Sequence, residues 1–203
     1  MDDRVVIALF RHGVTEENKR KAYLGWNDSE LTVESAKMST NKNYESYFSS
    51  DLQRCIRTAK ILFPTSIPYQ VKELREMNFG EWEGKTYDDL KEDQHYCQWL
   101  SDVVSVCPPR GESFHEFTSR VQAGWKRIMD VVLLQRLKSC AIITHGGVIR
   151  YLLTKYAPDE KGFWCFQAQH DQGIELVFSK EALKGDGRCT SLLEVPLMVR
   201  ENG

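Results

Sequence analysis

No run of apolar residues in this 203-residue chain is long enough to cross a bilayer, and the opening MDDRVVIALF places acid where a secretory leader carries positive charge. A cytoplasmic protein with no membrane partner is therefore expected. A dominant charge is missing too: 27 Lys and Arg stand against 29 Asp and Glu, a net charge of -2, which offers no field for nucleic acid. Any anionic ligand has to be gripped locally, by a few side chains. CxxC pairs are absent. The six cysteines, Cys55, Cys97, Cys107, Cys140, Cys165 and Cys189, are scattered and read as free thiols in a reducing compartment rather than a disulfide frame. HExxH and paired Cys/His spacings are equally missing, so the residues imply no metal and no cofactor. There are no repeats, low-complexity tracts or flexible linkers. With a length suited to one hydrophobic core, the chain reads as a single domain over residues 1–203.

What is present is patterned. Val5 to Phe10 is an apolar, β-branched run closed by Arg11-His12-Gly13, the signature of a buried strand running into a polar loop. A second such unit follows: Ala141 to Ile143 lead into Thr144-His145-Gly146-Gly147, after which Val148, Ile149, Leu152 and Leu153 recur at helical spacing. Between them, residues 47–50 end a short strand, and Gln53 to Leu62 form a helix stopped by Pro64, with Ser50 or Asp51 as its cap. Gly111 to Leu137 holds the capping box Ser113-x-x-Glu116 and a core stripe of Phe114, Phe117, Val121, Trp125, Ile128 and Val132. Residues 79–110, acidic and aromatic with one helix near Thr86 to Leu100, read as a covering insertion. Ile174 to Phe178 and Leu192 to Val199 read as an antiparallel hairpin turning at residues 184–187 near the sheet edge. Alternating strands and helices imply an α/β fold with a mostly parallel sheet, whose ligands bind beyond the carboxyl ends of the strands. His12 and His145 then share one rim.

That placement suggests a chemistry. A neutral imidazole attacks phosphorus well, and a phosphoryl group needs cationic donors around its three non-bridging oxygens. Arg11 adjoins His12, and a guanidinium grips two phosphate oxygens in a fixed fork. Arg54 falls in the first turn of its helix, where free backbone N–H groups also favour an anion. An ester's leaving oxygen needs a proton from a carboxylic acid; the run Leu74-Arg75-Glu76-Met77-Asn78-Phe79-Gly80-Glu81-Trp82-Glu83-Gly84 offers three, with Glu76 and Glu81 the serious candidates. Each element alone has a duller account, since a histidine after a strand is often a cap and an arginine in a first turn is often just solvated. Jointly they are hard to dismiss. His95, His115 and His170 have no partners at ligand spacing and read as structural or surface residues.

The motifs resemble those of the histidine phosphatase superfamily, the phosphoglycerate mutase-like proteins. They are Leu9-Phe10-Arg11-His12-Gly13, Gly25-x-x-Asp28-x-x-Leu31-Thr32, Ser49-Ser50-x-Leu52-x-Arg54, Leu74-Arg75-Glu76, Gly111-Glu112-Ser113 and Thr144-His145-Gly146-Gly147, in order along nearly the whole chain. The resemblance implies a three-layer fold with helices on both faces of the sheet. It makes His12 the phospho-accepting nucleophile, and Arg11, Arg54 and His145 the phosphate clamp, with Asn18 and Gly146 beside the phosphate. It also chooses Glu76 as proton donor and leaves Glu81 as a fallback. Val14 stands where such proteins usually carry Glu, a side chain that is not a phosphate ligand in the family. The chain is short where the family's mutases carry an insertion, and so resembles the phosphatase branch. Glu76-Met77-x-Phe79-Gly80-x-Trp82-Glu83, Tyr96-x-x-Trp99 and Trp164-x-Phe166 resemble the α-ribazole phosphatases within it. A metal-independent phosphomonoesterase acting on a small phosphate ester is the implied function. A mutase or a broad-specificity phosphatase would share the motifs, and a silent phospholigand-binding protein would normally show a broken clamp. The aromatics Trp82, Tyr87, Tyr96 and Trp99 could meet a ribazole-like base, though such residues more often fill the insertion's own core.

Overall fold

The computed structural model describes residues 3–199, so residues 1–2 and 200–203 of the expected 1–203 unit lie outside it. In chain order its elements begin with β1 (Arg4–Arg11), α1 (Glu16–Arg20), β2 (Met38–Ser39), β3 (Ser46–Ser49), α2 (Gln53–Leu62) and β4 (Tyr69–Gln70). They continue with α3 (Tyr87–Leu90), α4 (Gln94–Ser101), α5 (Phe114–Leu134), β5 (Ser139–Thr144) and α6 (Gly146–Tyr156). The last are β6 (Gln172–Ser179), α7 (Lys180–Lys184), β7 (Ser191–Pro196) and β8 (Met198–Val199).

Alternation along β1 decides the layering. Val5, Ile7 and Leu9 enter one hydrophobic cluster while Ala8 and Phe10 enter another, and on β5 Cys140 and Ile142 divide from Ala141 and Ile143 in the same way. Strands buried on both faces belong in a sheet covered on both sides. One face meets α5 and α6 through Val121, Trp125, Ile128, Leu152 and Leu153; the other meets α2 through Cys55, Ala59 and Leu62. Trp125 anchors the first cluster, stacked on Tyr156 with ring centroids 4.6 Å apart, and cutting such a residue to alanine typically costs about 3–5 kcal/mol. The expected stripe on α5 packs as read, with Phe114 only partly buried.

The six-stranded sheet has the order β4-β3-β5-β1-β6-β7. β4, β3, β5 and β1 are mutually parallel, and β6 and β7 complete the sheet in antiparallel pairing. The mostly parallel α/β expectation therefore holds. Register places the site: Arg11 pairs with Thr144 across β1 and β5, so His12 and His145 step off adjacent strands at the same level.

Three local expectations change. The helix expected near Thr86 to Leu100 is two helices, because Asp93 caps a fresh start by accepting from His95 N–H at 2.8 Å and Tyr96 N–H at 3.3 Å. β6 and β7 pair antiparallel, but α7 stands between them, capped by Ser179 Oγ on Ala182 N–H at 3.1 Å. The glycines at 185 and 187 end that helix rather than forming a hairpin turn, and Met198–Val199 leave the sheet to pair with β2. Neither Ser50 nor Asp51 caps α2, whose N-cap is Leu52 without a side-chain bond. Trp82, Leu90, Tyr96 and Trp99 form a small separate cluster, as the packing account of these aromatics holds, while Tyr87 is 58% exposed. All six cysteines are free thiols. Among the described residues no helix is long and apolar enough to cross a membrane.

Candidate active site

His12 is buried at the end of β1, and its backbone N–H donates to Thr144 C=O at 2.9 Å. Its ring Nδ1 lies 2.8 Å from Gly13 C=O. A carbonyl only accepts, so Nδ1 carries the hydrogen and the lone pair is on Nε2. Burial first, then Arg54, Arg11 and His170, hold this imidazole well below the ordinary histidine range, which keeps Nε2 unprotonated at neutral pH.

His145 is the N-cap residue of α6 and fully buried. Its ring centroid lies 5.2 Å from that of His12 at 61°, so the two strand ends do deliver their imidazoles to one place. Arg54 Nε donates to His145 Nδ1 at 3.3 Å, which leaves Nε2–H to donate to Ser50 Oγ at 2.9 Å. Burial, then Arg54, also pushes the His145 pKa well down.

Arg54 is 0% exposed. Besides His145 it donates to Gly25 C=O at 2.6 Å, Asn27 C=O at 2.7 Å and Asp28 Oδ1 at 3.3 Å. Four of the five guanidinium N–H groups are thus engaged, leaving one. The anion at the start of α2 is not a vacant place for a ligand, because Asp28 accepts there from Gln53 N–H at 2.9 Å and Arg54 N–H at 3.4 Å. That corrects the expectation of free N–H groups around Arg54. Arg11 donates from Nη1 to Ala168 C=O at 2.8 Å, while its Nε is buried with no hydrogen-bond partner among the described residues. Burial lowers the Arg11 pKa and the Glu76 carboxylate opposes that. An unsatisfied buried donor beside two imidazoles is an anion-seeking group.

Glu76 is set against the first turn of α6, accepting from Gly147 N–H at 2.9 Å and Met77 N–H at 3.0 Å. Both glycines of Gly146-Gly147 allow a close approach. A Cβ on Gly146 would sit 3.2 Å from Arg11 Cζ, and one on Gly147 would overlap Glu76 Oε1. Glu81 instead lies at the surface, 3.2 Å from the exposed Arg110. Asn18 closes a capping box with Thr15, accepting Thr15 N–H at 3.1 Å; among the described residues its hydrogen bonds do not reach Arg11, His12, Arg54 or His145.

Sequence reasoning passed over two residues. Arg120 braces the acid segment, donating to the carbonyls of Glu73 at 2.8 Å, Arg75 at 3.0 Å and Glu76 at 3.2 Å while pairing with Glu112 at 2.7 Å. His170, read as structural or surface, has its ring 5.4 Å from that of His12. The signal for it was strand direction. β6 runs antiparallel to β1 with Gly173 opposite Phe10, so residues just before β6 share the rim where β1 ends.

A cavity of about 430 Å³ opens on the Glu76 side, lined by Glu76, Gly147 and Arg150 together with Tyr23, Phe79, Trp99, Phe114, Phe117, Phe163 and Trp164. His12 is not in its wall. Of Trp82, Tyr87, Tyr96 and Trp99, only Trp99 contributes to it. Among the described residues no group of three or more His, Cys, Asp or Glu side chains is placed to hold a metal ion.

The model of the histidine phosphatase superfamily (branch 1) matches residues 7–182. The chain belongs to the histidine phosphatase superfamily. It is similar to the adenosylcobalamin/alpha-ribazole phosphatase of Escherichia coli (strain K12), 28% identical over 177 residues that cover 81% of this chain and 85% of that protein. A phosphoglycerate mutase structure from Thermus thermophilus superposes with TM-score 0.67 at 29% identity, covering 96% of this chain and all (100%) of that one. The alpha-ribazole phosphatase of Shigella flexneri shares the fold at TM-score 0.76 and 23% identity, over 97% and 96% of the two chains. This histidine phosphatase is thus a phosphatase by family, with mutase relatives on the same scaffold.

Proposed function

We propose that this histidine phosphatase hydrolyses a small phosphate monoester with a flat, largely apolar leaving group, α-ribazole 5'-phosphate being the candidate, through a phosphohistidine on His12. The pairing of the His12 and His145 rings at 5.2 Å beside the unsatisfied Arg11 Nε carries the reading. In the first half-reaction the His12 Nε2 lone pair forms a bond to phosphorus as the ester P–O bond breaks. Glu76 in its acid form gives its proton to the departing oxygen. In the second, the Glu76 carboxylate takes a proton from water, whose oxygen bonds to phosphorus as the N–P bond breaks and the electron pair returns to Nε2. Arg11 Nε and the remaining Arg54 N–H hold the equatorial oxygens, and His145 joins them by turning its Nε2–H from Ser50 Oγ to the phosphoryl group, with Asn18 and Gly146 at the edge of the same group.

The leaving group lies on the Glu76 side, which is where the aromatic cavity opens. That wall favours a planar base over a glycerate. Its cation, Arg150, donates from Nε to Phe166 C=O at 3.3 Å and lies 5.8 Å from the Trp164 ring. A mutase reading, motivated by the mutase relatives, would draw on that charge for a glycerate carboxylate. Release of inorganic phosphate from α-ribazole 5'-phosphate, 3-phosphoglycerate and sugar phosphates decides between them. The highest kcat/KM is expected for the ribazole ester, with stoichiometric release; equal values for all three would indicate a generalist. H12A should be inactive on p-nitrophenyl phosphate while remaining folded, and an active H12A would end the phosphohistidine mechanism.

A further inference from the structure

We infer that His170 is a positioning residue for His12, locking the nucleophile's backbone and ring. The inference rests on His12 as the phospho-accepting residue. Each backbone polar group of His12 and of Gly13 is tied. His12 N–H donates to Thr144 C=O at 2.9 Å, Gly13 N–H to Thr58 Oγ1 at 2.9 Å, and Gly13 C=O accepts from the His12 ring at 2.8 Å. The remaining group, His12 C=O, accepts from His170 Nδ1 at 2.6 Å. The first three ties come from β5, α2 and the residue itself. The fourth comes from the loop ahead of β6, with no role in the sheet.

The ring geometry adds a second constraint. His12 packs edge-on against two imidazoles, His145 at 5.2 Å and 61° and His170 at 5.4 Å and 70°. Both contacts restrict the turning of the His12 ring. Burial and then Arg11 bring the His170 pKa down to about 4, so near neutral pH it is an uncharged donor and the guanidinium groups alone carry positive charge. Attack on phosphorus needs the reacting atoms aligned at about 3–3.5 Å, and a misplacement of about 1 Å can lower the rate about 100-fold.

The test uses H170N, H170F and H170A beside H12A, with p-nitrophenyl phosphate as substrate. The amide of Asn hangs from Cγ as Nδ1 does in His, so H170N keeps the donor; H170F keeps the ring without it. The inference expects H170F to lose about 10- to 100-fold in kcat, with KM and the thermal midpoint little changed and phosphoenzyme formation slowed in rapid quench. H170N should return to within about threefold of the parent kcat, since an interaction acting on the chemical step shows in kcat rather than KM. Parent-like kcat in H170F, H170N as slow as H170A, or a loss confined to KM would each overturn it. If H170A fails to fold, H170F and H170N decide between them. An active H12A would remove the nucleophile assignment and this inference together; an inactive H12A with a fully active H170F removes this inference alone.

Discussion

Arg54 and Asp28 are joined twice: the carboxylate accepts from the backbone N–H of Arg54 at 3.4 Å and from its guanidinium at 3.3 Å. One acid therefore starts helix α2 and aims Arg54, two of whose other N–H groups donate to the carbonyls of Gly25 and Asn27.

Replacing Asp28 separates these duties. D28A should cost about 1 kcal/mol of stability through the lost N-terminal acceptor, and should also weaken competitive inhibition by inorganic phosphate as Arg54 loses a constraint. D28N keeps an acceptor oxygen and should recover most of the stability. Chemical denaturation and phosphate inhibition constants measure the two effects, and unchanged phosphate inhibition in D28A would dissociate Asp28 from the pocket.

Gly147 admits a sharper test. Its Cβ would overlap Glu76 Oε1, yet it lies in the first turn of a helix, where alanine is favoured over glycine by roughly 0.5–1 kcal/mol. G147A should stay as stable as the parent while kcat falls about 10- to 100-fold through the displaced acid. Steady-state kinetics beside a thermal melt reads both, and a fully active G147A would show that the seat of the Glu76 carboxyl on this turn does not limit the rate.

Acid should destabilise the fold through the same buried imidazoles. His12 and His145 titrate well below 6.5 when folded and His170 at about 4, whereas in the unfolded chain each takes up a proton near 6.5. The unfolded state then binds more protons at low pH, so this contribution is complete above about pH 6.5 and is lost as pH falls toward the folded values, by at most about 1.4 kcal/mol per pH unit for each histidine. Urea melts at pH 7.5 and 5 should show a smaller drop for H170N than for the parent. Equal drops would mean that His170 is already protonated in the folded chain.

Much of this site was legible because parallel strands obey a simple rule: adjacent strands of one direction end on one rim. Val5 to Phe10 and Ala141 to Ile143 were visible as buried strands, and the histidines that follow them had to meet. What the linear pattern concealed were contacts between distant loops. Asp28 reaches α2 from 26 residues before Arg54, displacing the nearby Ser50 and Asp51 from the cap; Ser50 serves His145 instead, and Asp51 holds Arg75 at 2.5 Å. His170 was missed because its rim is reached by a strand running the other way. The Asp93 break between α3 and α4 was masked because it lies in a polar run, Lys91 to His95, that the exposed face of one continuous helix would equally carry.

The register of β1 carries a consequence for biosynthesis. This first strand lies between β5 and β6, whose partner residues are separated from it by more than a hundred positions; Val6, for example, faces Ser139 on one side and Val177 on the other. As the polypeptide leaves the ribosome, its opening hydrophobic segment must wait without lateral partners until the last third has emerged, and such distant pairings form slowly and leave sticky edges in the interval. A nascent chain halted before residue 139 would lack both neighbours of the strand that carries His12, and so could neither shield that segment nor bring His12 and His145 together.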